Sequence, residues 1–189
     1  MSDFRSVKGK SAIVTGAARG IGYGAAETLA SEGVSVVMTD ILPLVKESAE
    51  KVQKQYPDVQ VFGMITDVSK EEDVKNLVDF AVEKFGKLDI MYNNAGIHIE
   101  PKNVWETDMK DVDKVLGVNF KGIFHGCKYA AAQMVKQKSG TIVNTGSFFG
   151  KVGHPGSAAY GATKAGVHTL TQALALEMAP YNVNVNALC

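Results

Sequence analysis

The chain of 189 residues is 46% hydrophobic and 21% charged, which suits one globular domain over residues 1–189, since domains cluster near about 100–200 residues. Twenty Lys+Arg balance twenty Asp+Glu, and the only arginines are Arg5 and Arg19, so no broad basic face exists to hold nucleic acid by counterion release. Met1 to Lys10 lacks the apolar stretch of a secretory leader, and no run approaches the ~18 apolar residues of a membrane span. A cytoplasmic protein without nucleic-acid or membrane partners is expected, with Cys127 and Cys189 as reduced thiols and no metal site.

The first predicted strand, Ser11–Thr15, runs into Thr15-Gly16-Ala17-Ala18-Arg19-Gly20-Ile21-Gly22 and a helix over Ile21–Ser31. Gly16 suits a tight turn, Gly20 lets a pyrophosphate approach the backbone, and Gly22 lets the helix pack closely. The helix N-terminus adds free N–H donors. Alone, such an octet is also an ordinary glycine turn. The second strand, Val34–Thr39, ends on Asp40, eighteen residues after Gly22. A carboxylate there can accept from both hydroxyls of an adenosine ribose and repels a 2′-phosphate, so Asp40 argues for NAD over NADP. A helix-capping aspartate is the plainer alternative. Arg19 pulls the other way, because its guanidinium can pair with such a phosphate.

A helix over Leu44–Gln55 and a strand over Val59–Ile65 lead to Asp67-Val68. Ser69-Lys70-Glu71-Glu72 then reads as a capping box opening a helix over Ser69–Phe85. The fourth strand, Leu88–Tyr92, is followed by Asn93-Asn94-Ala95-Gly96: two amides able to bridge strand ends, then small residues that leave room for a flat ligand. A single long helix is expected over Thr107–Lys138, then a strand over Thr141–Thr145, a helix over Ser157–Ala179 and a strand over Val183–Leu188. Short β-branched runs alternating with helical periods make an α/β, doubly wound parallel sheet of about six strands, with its ligand beyond the carboxyl ends.

Ser147 follows the fifth strand, and Tyr160 and Lys164 stand four apart on one helix face, about 6 Å apart at the β carbons. An ammonium beside a phenol favours the phenolate, so such a tyrosine can take the hydroxyl proton of an alcohol as hydride leaves, or return it. Ser147 can hold the same oxygen by a hydrogen bond. Alone, Tyr-x-x-x-Lys is also the pattern of a surface pair. His98, His154, Phe148 and Phe149 lie where they could touch a substrate, whereas His168 reads as a packed or solvated side chain.

Taken in order, Thr15-Gly16-x-x-x-Gly20-x-Gly22, Asn93-Asn94-Ala95-Gly96, Ser147 and Tyr160-x-x-x-Lys164 closely resemble the short-chain dehydrogenase/reductase family over essentially the whole chain. The resemblance implies an NAD-dependent oxidoreductase acting on a small secondary alcohol or ketone, with Tyr160 as acid/base. Lys164 would lower the tyrosine pKa and grip the nicotinamide ribose, and Ser147 would clamp the substrate oxygen. It implies that Asn119 bends the long helix and holds a water linking the lysine to solvent. Gly16, Arg19, Gly20, Ile21 and Gly22 would form the cofactor loop, Asp67 and Val68 the adenine contacts, and Asn94 a cofactor-backbone contact. A homo-oligomer, dimer or tetramer, is implied for the full-length form.

Two departures stand out. Asn184 replaces an arginine usual before Val-Asn in the last strand, and the family pattern continues beyond Cys189 with a Pro-Gly turn, a substrate loop and a seventh strand. The expectation is therefore a domain incomplete at its C-terminal end, a fragment of a longer parent that turns over weakly by itself. Two rivals remain at this point: a non-catalytic NAD-binding subunit, and an epimerase or dehydratase of the extended branch, whose glycine loop is spaced Gly-x-x-Gly-x-x-Gly.

Overall fold

The computed structural model describes residues 6–189. Its sheet has six parallel strands: β1 (Ser11–Thr15), β2 (Ser35–Asp40), β3 (Val61–Ile65), β4 (Ile90–Asn93), β5 (Gly140–Thr145) and β6 (Val183–Leu188), in the order β3-β2-β1-β4-β5-β6. The helices are α1 (Gly20–Ser31), α2 (Leu44–Gln55), α3 (Glu71–Phe85), α4 (Met109–Leu116), α5 (Ile123–Gln137) and α6 (Ala158–Met178).

Strand chemistry explains the layering. All five residues of β1 and the Val36-Val37-Met38-Thr39 run of β2 are buried, as strands covered on both faces must be. Alternate side chains separate into two cores. Ile13, Val37, Met91, Ile142 and Val185 meet Leu77 of α3, Ile123 of α5 and Val167 of α6. Ala12, Val14, Val36 and Met38 meet Ala26 of α1 and Val45 and Val52 of α2 on the opposite face. Each fully buried Val, Ile, Leu or Met contributes roughly 1.5–3 kcal/mol relative to exposure. The strand order reverses between β1 and its two neighbours, β2 and β4, and a crevice opens at that switch point beyond the carboxyl ends.

Side chains add to the main-chain pairing of β4 with β5. Asn93 Nδ2 donates to Asn144 Oδ1 at 2.9 Å, Asn144 Nδ2 to Thr171 Oγ1 at 3.0 Å, and Thr171 Oγ1 to the Val167 carbonyl at 2.7 Å. Cys127 joins this ladder, its Sγ 3.4 Å from Asn144 Oδ1, and burial pushes its thiol up to about 12, which makes it an unreactive packing group. Cys189 is exposed, 3.3 Å from His168 Nε2.

Two sequence expectations need correction. No capping box forms at Ser69. Asp67 Oδ1 takes both the Ser69 hydroxyl (2.7 Å) and its N–H (3.0 Å), and the Asp67 carbonyl takes the Lys70 N–H. The chain turns about Asp67, and α3 begins at Glu71, two residues after Ser69, with Lys70 as an N-cap lacking a side-chain bond. Three acids in its first turn, Glu71, Glu72 and Asp73, complement the helix dipole instead. The expected single helix over Thr107–Lys138 is interrupted by a π-helical turn at Gly117–Gly122 between α4 and α5. The bend implied at Asn119 falls within this turn, and the packing around it is close: a β carbon at Gly122 would lie 2.8 Å from Val68 Cγ2 and, in α5, one at Gly126 only 1.9 Å from Asn93 Oδ1.

Candidate active site

The crevice is a cavity of about 760 Å³. At one end the loop after β1 forms its floor. Gly16 and Gly20 have φ of +67° and +61°, a left-handed conformation that glycine adopts without steric cost. A β carbon on Gly22 would stand 2.2 Å from the Gly16 carbonyl, so Gly22 packs α1 against the glycine loop. Nothing lies within 4 Å of the β-carbon position of Gly20, which leaves that stretch of backbone open to a ligand. Asn94 ties the loop to β4: its Nδ2 donates to the Thr15 carbonyl at 2.9 Å, while its own N–H and that of Ala95 both donate to Thr15 Oγ1, each at 2.9 Å. Ile21 is exposed beside the loop, and Arg19 is its cation.

Asp40 closes this end. Its carboxylate accepts from the Ala18 N–H at 3.1 Å and the Leu42 N–H at 3.0 Å, so its position is set by the backbone before any ligand arrives. Asp67 and Val68 line the wall with Thr66, a residue only 2% exposed whose hydroxyl has no hydrogen-bond partner among the described residues. An orphaned hydroxyl on a cavity wall is a group a polar ligand can satisfy.

At the other end stand Tyr160 and Lys164. The Lys164 Nζ lies 5.8 Å from the centre of the Tyr160 ring and donates to the Thr145 carbonyl at 2.6 Å. Lys164 is 2% exposed, and burial lowers its pKa from 10.5 to about 8. Ser147 caps a 3₁₀ turn at Phe148–Gly150, its Oγ accepting from the Phe149 N–H at 3.2 Å. The oxygen is thereby fixed while its own hydrogen stays free to donate. Asn119 is wholly buried, and its amide is spent on one residue: Oδ1 accepts from the Ile97 N–H and Nδ2 donates to the Ile97 carbonyl, both at 2.8 Å.

The structure thus gathers Gly16, Arg19, Gly20, Ile21, Gly22 and Asp40 with Asp67, Val68, Asn94, Tyr160 and Lys164 around one cavity. Asn119 and Ser147 are not among its lining residues; the first supports the loop after β4, and the second sits at the end of β5. Seven lining residues lie outside the set expected from sequence: Ile41, Leu42, Thr66, Ile97, Lys114, Val118 and Thr145. An exposed apolar pair directly after the Asp40 strand end was a usable signal for the first two, since Ile41 is 60% exposed. No spacing announced Lys114. His168 also does more than pack: its Nε2 accepts from the Ser147 N–H at 3.4 Å, and burial, with Lys151 and Lys164 nearby, lowers its pKa.

No helix among the described residues is long and apolar enough to cross a membrane, and none of them form a metal-ligating cluster. Comparison with known proteins bears on the assignment directly. The model of the short chain dehydrogenase family matches residues 10–189. The chain is 40% identical over 181 residues to a 3-oxoacyl-[acyl-carrier-protein] reductase of Staphylococcus aureus (strain Mu50 / ATCC 700699), covering 95% of this chain and 72% of that protein. It is 40% identical over 182 residues to a diacetyl reductase [(S)-acetoin forming] of Staphylococcus epidermidis (strain ATCC 12228 / FDA PCI 1200), covering 95% and 70%. Among solved structures, NAD+-bound xylitol dehydrogenase superposes with a TM-score of 0.91 at 38% identity over 95% of this chain and 69% of that one. Levodione reductase superposes with a TM-score of 0.92 at 32% identity over 95% and 70%. The chain therefore belongs to the short-chain dehydrogenase family of oxidoreductases, which work with a nicotinamide cofactor on a Rossmann-like fold.

Proposed function

We propose that residues 1–189 form a single dinucleotide-binding domain that interconverts a secondary alcohol and a ketone with NAD(H), Tyr160 being the acid/base. The observation that carries this reading is the convergence of Tyr160 and Lys164 with the glycine loop and Asp40 around one cavity. The related proteins are named as reductases or dehydrogenases of ketones and alcohols, which agrees with that chemistry.

The residues present fit a dinucleotide. The open left-handed backbone at Gly20 and the N-terminus of α1 suit a pyrophosphate. The carboxylate of Asp40 suits the hydroxyls of an adenosine ribose, and Thr66, Asp67 and Val68 offer a wall for the base. When bound, the nicotinamide accepts or supplies the hydride. The protein's part is the proton and the positioning. Tyr160 Oη takes the hydroxyl proton in oxidation and returns it in reduction. The Lys164 ammonium stabilises negative charge that develops on that oxygen, and its remaining donors suit the second ribose. The Ser147 hydroxyl donates to the substrate oxygen, while Asn119 holds Ile97 and with it the loop that faces Tyr160.

One observation favours a second cofactor preference: Arg19 lines the same end of the cavity as Asp40, and a guanidinium there can pair with a 2′-phosphate. Incubation with NAD or NADP and a panel of secondary alcohols, followed by the absorbance of reduced nicotinamide, tests both points. Turnover with NAD that vanishes in Tyr160→Phe is expected. Cofactor binding without turnover on any substrate points to the non-catalytic nucleotide-binding alternative, and preference for NADP gives the decision to Arg19.

A further inference from the structure

His98 follows the loop that carries Asn94, Ala95 and Gly96, and it lines the cavity with Tyr160. The two rings are in contact, their centres 4.7 Å apart and their planes inclined at 43°. The backbone at this point is not free to drift, because Ile97, the preceding residue, is held at both its N–H and its carbonyl by the buried Asn119 amide. His98 Nδ1 lies 2.5 Å from the Ile99 carbonyl. A carbonyl can only accept, so Nδ1 carries the hydrogen, and in the neutral ring Nε2 is the lone-pair nitrogen. That nitrogen finds no partner among the described residues.

A second histidine stands near Tyr160 through an aromatic neighbour. Phe149 meets Tyr160 edge to face at 6.3 Å and is stacked on His154 at 4.5 Å. His154 Nδ1 lies 2.8 Å from the Pro155 carbonyl and is likewise committed as a donor, leaving Nε2 as an acceptor. The two imidazoles therefore add acceptors to surroundings whose donors are the Ser147 hydroxyl and the Lys164 ammonium, on an aromatic wall that suits a compact substrate.

We propose that His98 determines specificity by accepting a hydrogen bond, at Nε2, from a hydroxyl on the carbon next to the reacting one, so that vicinal diols and α-hydroxyketones are the substrate class. The inference rests on Tyr160 acting at the reacting oxygen. The two rings share one wall of the cavity, so a substrate whose oxygen meets the Tyr160 hydroxyl lies beside the imidazole. A substrate without the second hydroxyl leaves Nε2 unpaired against it, and a site built to accept from a hydroxyl discriminates against the analogue that lacks one. Because His98 is exposed, water recovers part of that cost, and the discrimination is about tenfold rather than the thousands found in closed sites.

The test compares kcat/KM for 2,3-butanediol and 2-butanol, with NAD, in the unmodified protein, His98→Phe and His98→Gln. A diol preference of about tenfold that disappears in His98→Phe and partly survives in His98→Gln, whose Oε1 can also accept, supports the proposal. A preference untouched by His98→Phe, or no preference at all, overturns it. Failure of the broader reading looks different, since neither alcohol is then oxidised. In that event the His98 Cε1–H proton resonance of the NAD-loaded protein decides: a shift with the diol and none with 2-butanol supports the contact, and silence with both removes it.

Discussion

Lys164 reaches from α6 to donate to the Thr145 carbonyl at the end of β5, at 2.6 Å, with 2% of its surface exposed. One hydrogen bond from an ammonium with three donors leaves it under-solvated, which is why burial lowers its pKa from 10.5 to about 8. Below pH 8 the lysine is charged in both folded and unfolded chains and its burial costs stability in full. Between about 8 and 10.5 only the unfolded chain holds the proton, so stability rises with pH, by about 3 kcal/mol across that window. Denaturant titrations of unliganded protein at several pH values should show this extra slope in the unmodified chain and lose it in Lys164→Met. Parallel slopes in the two proteins would contradict the assignment. The same variant should bind the cofactor at least tenfold more weakly by calorimetry.

Tyr160→Phe keeps the ring that packs against His98 and Phe149 and removes only the hydroxyl. The expected result is a loss of kcat of about 10²–10⁴-fold, the usual worth of positioned acid–base catalysis. Cofactor affinity should stay within about twofold, because the phenol acts on substrate. A comparable loss of both quantities would mean that the hydroxyl serves binding rather than proton transfer.

Asp40→Ala should relax the choice between NAD and NADP by tenfold or more in the ratio of dissociation constants, equivalent to about 1.4 kcal/mol. Asp40→Asn retains an acceptor for the Ala18 or Leu42 N–H and removes the charge, so it separates repulsion of a 2′-phosphate from disturbance of the loop. If both variants keep the original ratio, the carboxylate does not set the choice.

The two glycines differ in what they forbid. Gly22→Ala places a β carbon 2.2 Å from the Gly16 carbonyl, a clash with backbone that should cost about 3 kcal/mol or more. Gly20→Ala meets no atom within 4 Å and should cost only about 1 kcal/mol for its left-handed φ. Its damage should fall on cofactor affinity, because the methyl group occupies the face that a phosphate approaches. Thermal unfolding and calorimetry of the two variants should therefore rank them in opposite orders.

These contrasts show why the sequence was informative in some places and silent in others. The bounds of β1, β6 and α2 could be read directly: Ser-Ala-Ile-Val-Thr is a short β-rich run closed by the glycine loop, while Val-Asn-Val-Asn-Ala-Leu and the apolar stripe of α2 each express one period. The glycine loop, Asp40 and the Tyr160–Lys164 pair were visible because their chemistry depends on local spacing. A bend at Asn119 was implied by the family resemblance and falls inside the π-turn at Gly117–Gly122, but the change of pitch itself has no trace in the apolar pattern, which continues across it. The Ser69 capping box failed for a similar reason: Asp67 lies closer to the serine hydroxyl than the helix does, and no motif weighs one acceptor against another. Lys114 enters the cavity through the packing of α4, a tertiary outcome with no trace in the spacing of its neighbours.

The ladder from Asn93 through Asn144 to Thr171 has a consequence for how this sheet can change. Asn144 accepts from Asn93 and donates to Thr171, which donates in turn to Val167, so the links of the ladder share their hydrogens. Replacing Asn144 by an apolar residue strands a donor at Asn93 and an acceptor at Thr171 in a dry interior, whereas replacing the set together strands nothing. Substitutions along this line must come as concerted sets, and a mutational library that samples the three positions one at a time will find each of them nearly immutable.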